Sequence, residues 1–222
     1  MALAACAARV GTADERPSVR LAGFQYRLIT TLLDIDELRG FALAGGWALN
    51  AHHVLERPTR DIDLFTPDPD LVSAAAASAE QVLHAQGLRV DRLRETPTFV
   101  SLLVTDVDSG LATTVELAHD ARIRPPTRLD LGPVVSVDEL AADKMLALWG
   151  RAEARDLLDV DALLHLVSLP RMLDLAAEKD LGFDPRRLAD AISAAVNRPD
   201  SAYTALGISA EDAEALRRRA RT

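Results

Sequence analysis

Two stretches decide the fold of this chain: Phe41-Ala42-Leu43-Ala44-Gly45-Gly46-Trp47-Ala48-Leu49, and, a short gap later, Asp61-Ile62-Asp63-Leu64-Phe65. Phe41 to Ala44 reads as a short apolar strand, Gly45-Gly46 as a turn, and Trp47 to Leu55 as a helix. Pro58 ends that helix because it has no N–H to donate. Asp61 to Phe65 alternates polar and apolar residues and is predicted as a second strand. Residues two apart on a strand share a face, so Asp61 and Asp63 project together while Ile62 and Leu64 turn into the core. Carboxylates held side by side repel each other, and a hard cation between them relieves the repulsion; Mg²⁺ takes oxygen ligands of this kind. The glycines supply the complement. They let backbone approach a ligand closely, and the helix start behind them offers unpaired N–H groups to a phosphate. Each motif alone has an ordinary explanation, as solvated surface or as a plain turn. Together and in this order they point to metal-assisted transfer from a nucleoside triphosphate.

Working outward, Arg20 to Leu38 has apolar residues near helical spacing (Leu21, Phe24, Leu28, Leu32, Ile35) and reads as one helix. Leu71 to Gln86 is an Ala-rich helix stopped by Gly87. Strands are predicted over Leu88 to Leu93, Phe99 to Thr105 and Thr113 to Leu117, with Asp108-Ser109-Gly110 as the turn between the last two. His119 to Gly132 reads as a polar loop broken by proline. In the third of these strands Glu116 shares a face with Thr114. It is a candidate third acid beside the Asp61 strand, the plain alternative being an exposed edge glutamate.

After Ser136 the pattern becomes helical. Ser136-Val137-Asp138-Glu139 has the form of a capping box and opens a helix to about Trp149. Further helices are predicted over 153–167, 171–179, 185–196 and 210–221, with breaks at Pro170, Gly182, Pro185 and Pro199. The fold class is therefore α/β (α+β). A flexible N-terminus (1–19) is followed by a mixed-sheet core (20–135) and a helical C-terminal bundle (136–222).

The helical half carries a second constellation. Lys144 lies four residues from both Leu140 and Leu148, so it sits in the apolar stripe of its helix and must snorkel or meet an anion. Asp159 shares its side with Leu163 and also leans inward, with Asp156 close behind. An inward lysine and an inward aspartate on consecutive helices fit a structural ion pair. Beside a triphosphate they fit a phosphate clamp and an orienting carboxylate.

Composition sets the frame. The chain has 222 residues, 49% hydrophobic and 27% charged, as expected of a folded globular protein and not of a disordered one. Aromatic residues make up only 4%, so aliphatic side chains and alanine must fill the core. The single cysteine, Cys6, excludes an intramolecular disulfide framework and a Cys-based zinc site, and a reducing, cytoplasmic setting is expected. The N-terminal Met1 to Arg9 mimics a short signal peptide, but Arg9 interrupts it, and it reads as a frayed end or short helix. No apolar run reaches the ~18 residues of a membrane span. A formal net charge of −9 argues against a global electrostatic grip on nucleic acid. It leaves room for a local basic patch. Arg217, Arg218, Arg219 and Arg221 form one such cluster, read either as a solvated helix end or as an RNA-backbone contact.

The order Gly45-Gly46-Trp47-Ala48-Leu49, then Arg57-x-Thr59-x-Asp61-Ile62-Asp63-Leu64-Phe65, then Leu140-Ala141-Ala142-Asp143-Lys144, then Arg151-x-x-x-Arg155-Asp156-x-x-Asp159 resembles the AbiEii/AbiGii toxin family, which includes the mycobacterial MenT toxins. That family belongs to the polymerase-β-like nucleotidyltransferases. The resemblance implies that Asp61 and Asp63 hold Mg²⁺, with Glu116 at the third acidic position. It implies that Gly45 and Gly46 line the nucleotide phosphates, with Trp47 and Arg60 counted among the nucleotide contacts. Lys144 would contact the triphosphate, and Asp159 would be the late catalytic carboxylate. Trp47 stands where many members carry Ser or Thr, and its indole is expected to narrow the base pocket. The implied function is that of the toxin in a toxin–antitoxin pair. Such an enzyme adds nucleotides from a nucleoside triphosphate to RNA, with tRNA 3′ ends as the target class and a cognate antitoxin protein as partner. The Gly-Gly-Trp-Ala and Asp-Ile-Asp elements also resemble the nucleotidyltransferases that modify aminoglycosides or lincosamides, which is the alternative reading. Thr59, two residues before Asp61, is a candidate regulatory position, because a phosphate there would compete with the incoming triphosphate.

Overall fold

The computed structural model describes residues 17–221, with side chains from residue 20 onward. The expected frayed end or short helix at the N-terminus, including Cys6, lies outside the described residues. The first described helix, α1 (Pro17–Leu33), begins inside the segment expected to be flexible. Proline suits a first helical turn because the N–H it lacks would be unpaired there anyway.

A seven-stranded mixed sheet forms the core of the N-terminal half, in the order β3-β4-β5-β2-β1-β7-β6. Its strands are β1 (Ala42–Leu43), β2 (Asp61–Thr66), β3 (Arg89–Thr96), β4 (Phe99–Thr105), β5 (Ala112–His119), β6 (Thr127–Leu129) and β7 (Gly132–Val134). The central pair, β2 and β5, runs parallel, with Asp63 opposite Glu116. Parallel neighbours need a crossover, which here contains α3 (Leu71–Ala85) and the β3–β4 hairpin.

Alternation on the central strands assigns the two faces. Ile62, Leu64, Val100, Leu102, Val104, Val115 and Leu117 are all fully buried, as are Val72, Ala75, Ala76, Ala79 and Leu83 of α3. The run of alanines lets α3 approach the sheet closely, so aliphatic packing replaces the missing aromatics. The opposite face carries Asp61, Asp63 and Glu116.

The structure corrects several boundaries. The segment read as a polar loop contains β6 and the start of β7, which pair antiparallel. These strands are three residues long, too short to show alternation. The helix expected over Arg20–Leu38 divides into α1 and a 3₁₀ turn at Asp36–Leu38. Strand β3 continues past Leu93 to Thr96, with a register shift between Arg92 and Arg94.

The C-terminal half is helical: α4 (Val137–Arg151), α5 (Ala154–Leu163), α6 (Leu169–Lys179), α7 (Pro185–Val196), α8 (Asp200–Thr204) and α9 (Ala210–Ala220). The short α8 lies in a stretch with no predicted element. Helix α4 is the hub and packs against α5, α6 and α7. Its capping box forms by half. Ser136 accepts from the Glu139 N–H at 3.3 Å, but the Glu139 carboxylate turns away and accepts from the N–H groups of Ile123 and Arg124 at 2.9 and 2.7 Å. It thereby ties the loop after β5 to α4. No helix among the described residues is long and apolar enough to cross a membrane.

Candidate active site

The acidic face of the sheet and the helical half enclose a cleft of ≈ 860 Å³. Strand β2 delivers Asp61 and Asp63 to it, and β5 delivers Glu116. Gly45 and Gly46, expected as a turn before a helix over Trp47–Leu55, are instead the first two residues of α2 (Gly45–Ala51), directly after β1. Gly45 has φ +62°, and a Cβ there would stand 1.6 Å from Asp63 Oδ2. A Cβ on Gly46 would stand 2.5 Å from Thr59 Cγ2. Both positions therefore demand glycine for space, and Gly45 demands it for conformation as well.

The carboxylates load one another. Burial, then the charges of Asp61 and Glu116, push the Asp63 carboxyl up to about 7. Glu116 is also raised, by burial and then by Asp61, while Arg155 and Arg94 act to lower it. A divalent cation would reverse this repulsion, and the donors are the hard carboxylate oxygens such an ion prefers. These residues fit a metal on that ground. They are not the most tightly drawn acids, however. Among the described residues, the three carboxylates whose ligand atoms all lie within 4.8 Å are Asp120, Glu139 and Asp143. That spacing would suit a metal too, but the Lys179 ammonium is already placed among them. It donates to Asp120 at 2.6 Å, to Glu139 at 2.7 Å and to Asp143.

The cleft's other wall is cationic. Lys144, buried on α4, donates to Asp159 Oδ2 at 3.0 Å. Arg57, from the loop before β2, donates through Nε to Asp159 Oδ1 at 2.7 Å and through Nη2 to Oδ2 at 2.8 Å. Asp159 itself is fully buried. Burial alone would raise its carboxyl, but Arg57 and Lys144 outweigh that and hold it below the ordinary carboxylate range. Both oxygens are engaged, one by Arg57 alone and one by Arg57 and Lys144, so Asp159 holds two cations at the cleft wall. Arg57 stood in the quoted sequence pattern without a role. The signal that would have found it is a buried aspartate needing more than one counter-charge.

Asp156, also fully buried, pairs with Arg151 Nη2 at 2.7 Å and accepts from the Glu153 N–H at 3.0 Å. It shapes the corner between α4 and α5 and points Arg151 at the cleft. With Arg57, Arg60, Lys144, Arg155 and Arg198 also in the wall, a chain of net charge −9 concentrates cations where a polyphosphate would lie.

Other predicted positions fall elsewhere. Trp47 does not line the cleft. It is 4% exposed, packs in the core, and leaves its indole N–H without a hydrogen-bond partner. Thr59 is buried, with its hydroxyl 3.5 Å from Gln25 Oε1 and its methyl beneath Gly46. The C-terminal arginines are not a free basic patch. Arg217 stacks 4.6 Å from the Tyr203 ring and donates to the carbonyls of Val196 and Arg198. Arg219 pairs bidentately with Asp161 at 2.9 and 2.7 Å. Arg218 is exposed, 4.0 Å from Glu214, and Arg221 is exposed. A larger groove of ≈ 1250 Å³ beside α1 and the β6–β7 hairpin lies away from all these groups.

Paired acids on a sheet, a glycine pair beside them and buried cations are the groups that metal-assisted nucleotidyl transfer needs. The sequence model of the AbiEii nucleotidyl transferase toxins, of the type IV toxin–antitoxin systems, matches residues 27–219. The chain belongs to this family. It is accordingly a nucleotidyltransferase toxin, with a nucleoside triphosphate as substrate and an antitoxin as partner. No curated protein matches the sequence. Among solved structures, JHP933 from Helicobacter pylori is similar, with TM-score 0.57 and 19% identity over 93% of this chain and 91% of that one. The nucleotidyltransferase toxin MenT4 from Mycobacterium tuberculosis is similar too, with TM-score 0.55 and 17% identity over 92% and 94% of the two chains. At these identities the likeness is one of fold.

Proposed function

We propose that this enzyme transfers nucleotides from a nucleoside triphosphate to the 3′ end of RNA, with tRNA as the acceptor, and so blocks translation in the cytoplasm until its antitoxin intervenes. The observation that carries the reading is the opposition, across one cleft, of Asp61, Asp63 and Glu116 to Lys144 and Arg57, with Gly45-Gly46 between them.

Asp61 and Asp63, with Glu116, would hold Mg²⁺. Bound there, the ion would neutralise charge on the phosphates and polarise the α-phosphate. Gly45 and Gly46 admit the phosphate chain close to the backbone. Lys144 and Arg57, held in place by Asp159, bind the β- and γ-phosphate oxygens in a setting where burial strengthens the contact. Arg60 stands at the same wall. The terminal ribose hydroxyl attacks the α-phosphorus, forming a P–O bond as the bond to the β-phosphate oxygen breaks. Pyrophosphate leaves, and the hydroxyl proton passes to water at the open cleft, the ionised acids being committed to the cation.

The test is incubation with total tRNA, and separately with an aminoglycoside, with each labelled nucleoside triphosphate in turn, alongside Asp61→Asn. Label on the tRNA 3′ end with wild type and none with the variant supports the reading. Label on an aminoglycoside and never on RNA replaces it with the antibiotic-modifying alternative.

A further inference from the structure

Strand β3 carries a feature that the nucleotide site does not use. Arg92 and Arg94 are two apart and would share a face on a regular strand. The register shift between them prevents this. Arg92 pairs opposite Leu102, and Arg94 opposite Ser101. Leu102 is on the face covered by α3, and there Arg92 donates to Glu80 of α3 at 2.9 and 2.7 Å. Ser101 is on the other face, opposite Glu116, which is itself opposite Asp63. The bulge therefore re-aims Arg94 to the end of a row that runs Arg94, Ser101, Glu116, Asp63 across four strands. Bulges beside active sites commonly serve to redirect a side chain.

What the row offers is suited to one kind of occupant. Arg94 is exposed, and among the described residues no carboxylate is in ion-pair contact with it; its neighbour Glu95 is taken by Arg92 at 2.7 Å. Its guanidinium lies 5.3 Å from the centroid of the half-buried Phe99 ring. Phe99 is opposite Ala118, which is opposite Phe65 of the cleft wall. A cation and an aromatic face thus stand beside the acids, three strand spacings or roughly 14 Å from Asp63. Aromatic rings that stack bases, with arginine for the backbone, are how proteins hold single-stranded nucleic acid without reading its sequence.

We propose that the open face of β3 and β4, centred on Arg94 and Phe99, is the acceptor platform: it seats the single-stranded 3′ end of the RNA and directs its terminal hydroxyl to Asp63 and Glu116. This rests on the RNA-directed reading above and deepens it. A small cationic antibiotic would be repelled by Arg94 and has no base to stack. The proposal also relocates the RNA grip from the C-terminal arginines, of which Arg217 and Arg219 are engaged within the helical half, to the free edge of the sheet.

The test uses the full chain and three variants: Arg94→Ala, Arg94→Glu and Phe99→Leu, the last keeping apolar bulk. Transfer to tRNA is measured as KM and kcat for RNA across a salt series, with nucleotide affinity measured separately by calorimetry. Arg94→Glu should raise the KM for RNA about tenfold or more at fixed salt. It should leave nucleotide affinity within about twofold. Arg94→Ala should reduce the slope of log affinity against log salt by about 1. Phe99→Leu should raise KM with no change in that slope. If wild type modifies RNA and Arg94→Glu does so with unchanged KM and slope, the platform is wrong and the RNA-directed reading stands. If wild type labels no RNA with any nucleotide, both fall together.

Discussion

Gly45 and Asp63 are in such close register that no other residue can occupy the glycine position without displacing the carboxylate. The Cβ of any substituent at Gly45 would stand 1.6 Å from Asp63 Oδ2, at a backbone φ of +62°. The glycine thus makes room for the Asp63 carboxylate as much as for the phosphate proposed to lie beside it.

Gly45→Ala should consequently act on chemistry more than on folding. The left-handed conformation costs about 1–2 kcal/mol for an alanine. Moving a reacting group by about 1 Å can cost on the order of 10²-fold in rate. Thermal unfolding and nucleotide transfer measured on the same preparation should show a small loss in the first and a large one in the second. An equal, modest loss in both would mean that Asp63 relaxes freely around the new methyl.

Asp159→Asn is expected to destabilise by about 3–5 kcal/mol, because it strands two buried cations. Arg57→Met should cost less, since Lys144 would still neutralise the carboxylate. Denaturant unfolding of both variants checks the order. The sign with pH follows from the lowered Asp159 carboxyl. It contributes stability above the ordinary carboxylate pKa, and that contribution is lost as pH falls through its depressed value. Asp159→Asn should therefore flatten the acid limb of the stability curve. The pH–rate profile should show no group that titrates as Asp159 near neutrality.

The raised Asp63 carboxyl, at about 7, gives the opposite sign. The folded state holds this proton more tightly than the unfolded chain does, so without metal stability falls as pH rises from about 4 to about 7. A divalent ion bound by the ionised acids should restore it. Melting temperature should rise with added Mg²⁺ at pH 8 and rise much less at pH 5.5, where protons compete. Asp63→Asn should abolish the Mg²⁺ effect at both values.

Arg217→Ala should behave as a folding variant. The side chain covers Tyr203 and donates to Val196 and Arg198 carbonyls at the end of α7, where helices leave carbonyls unpaired. A loss of about 1–3 kcal/mol is expected, with tRNA affinity and its salt dependence unchanged in the folded fraction. Arg218→Ala, at an exposed position, should be silent in both assays.

The placement of the candidate site residues was legible where chemistry and strand period coincide. Asp61 and Asp63 share a face because strands alternate, and Glu116 could be assigned to a neighbouring strand on the same ground. Lys144 and Asp159 were legible as inward charges, since a charged residue in an apolar stripe needs a partner. Their partnership with Arg57 was not, because it spans 102 residues and a loop has no period to read. The C-terminal arginines misled for a related reason. A run of like charges looks solvated or functional from sequence, whereas Arg217 and Arg219 each find a partner that only tertiary packing brings near. Trp47 misled because its role was taken from the family pattern, in which a small polar residue follows the glycines, whereas the larger indole packs in the core. The β6–β7 hairpin escaped because its strands are shorter than one full alternation, and the bulge in β3 escaped because a register shift leaves no mark in composition.

The Arg57–Asp159 link has a consequence for the order in which this toxin becomes dangerous. The three acids and the glycine turn are all made by residue 116, yet the anchor that aims Arg57 and Lys144 sits on α5. A nascent chain that has completed its sheet therefore carries the acidic half of a site whose cationic half has no fixed position. A chain that stops anywhere before Asp159 is expected to be inert, and a cell making this protein gains, with each copy, an interval before it is armed.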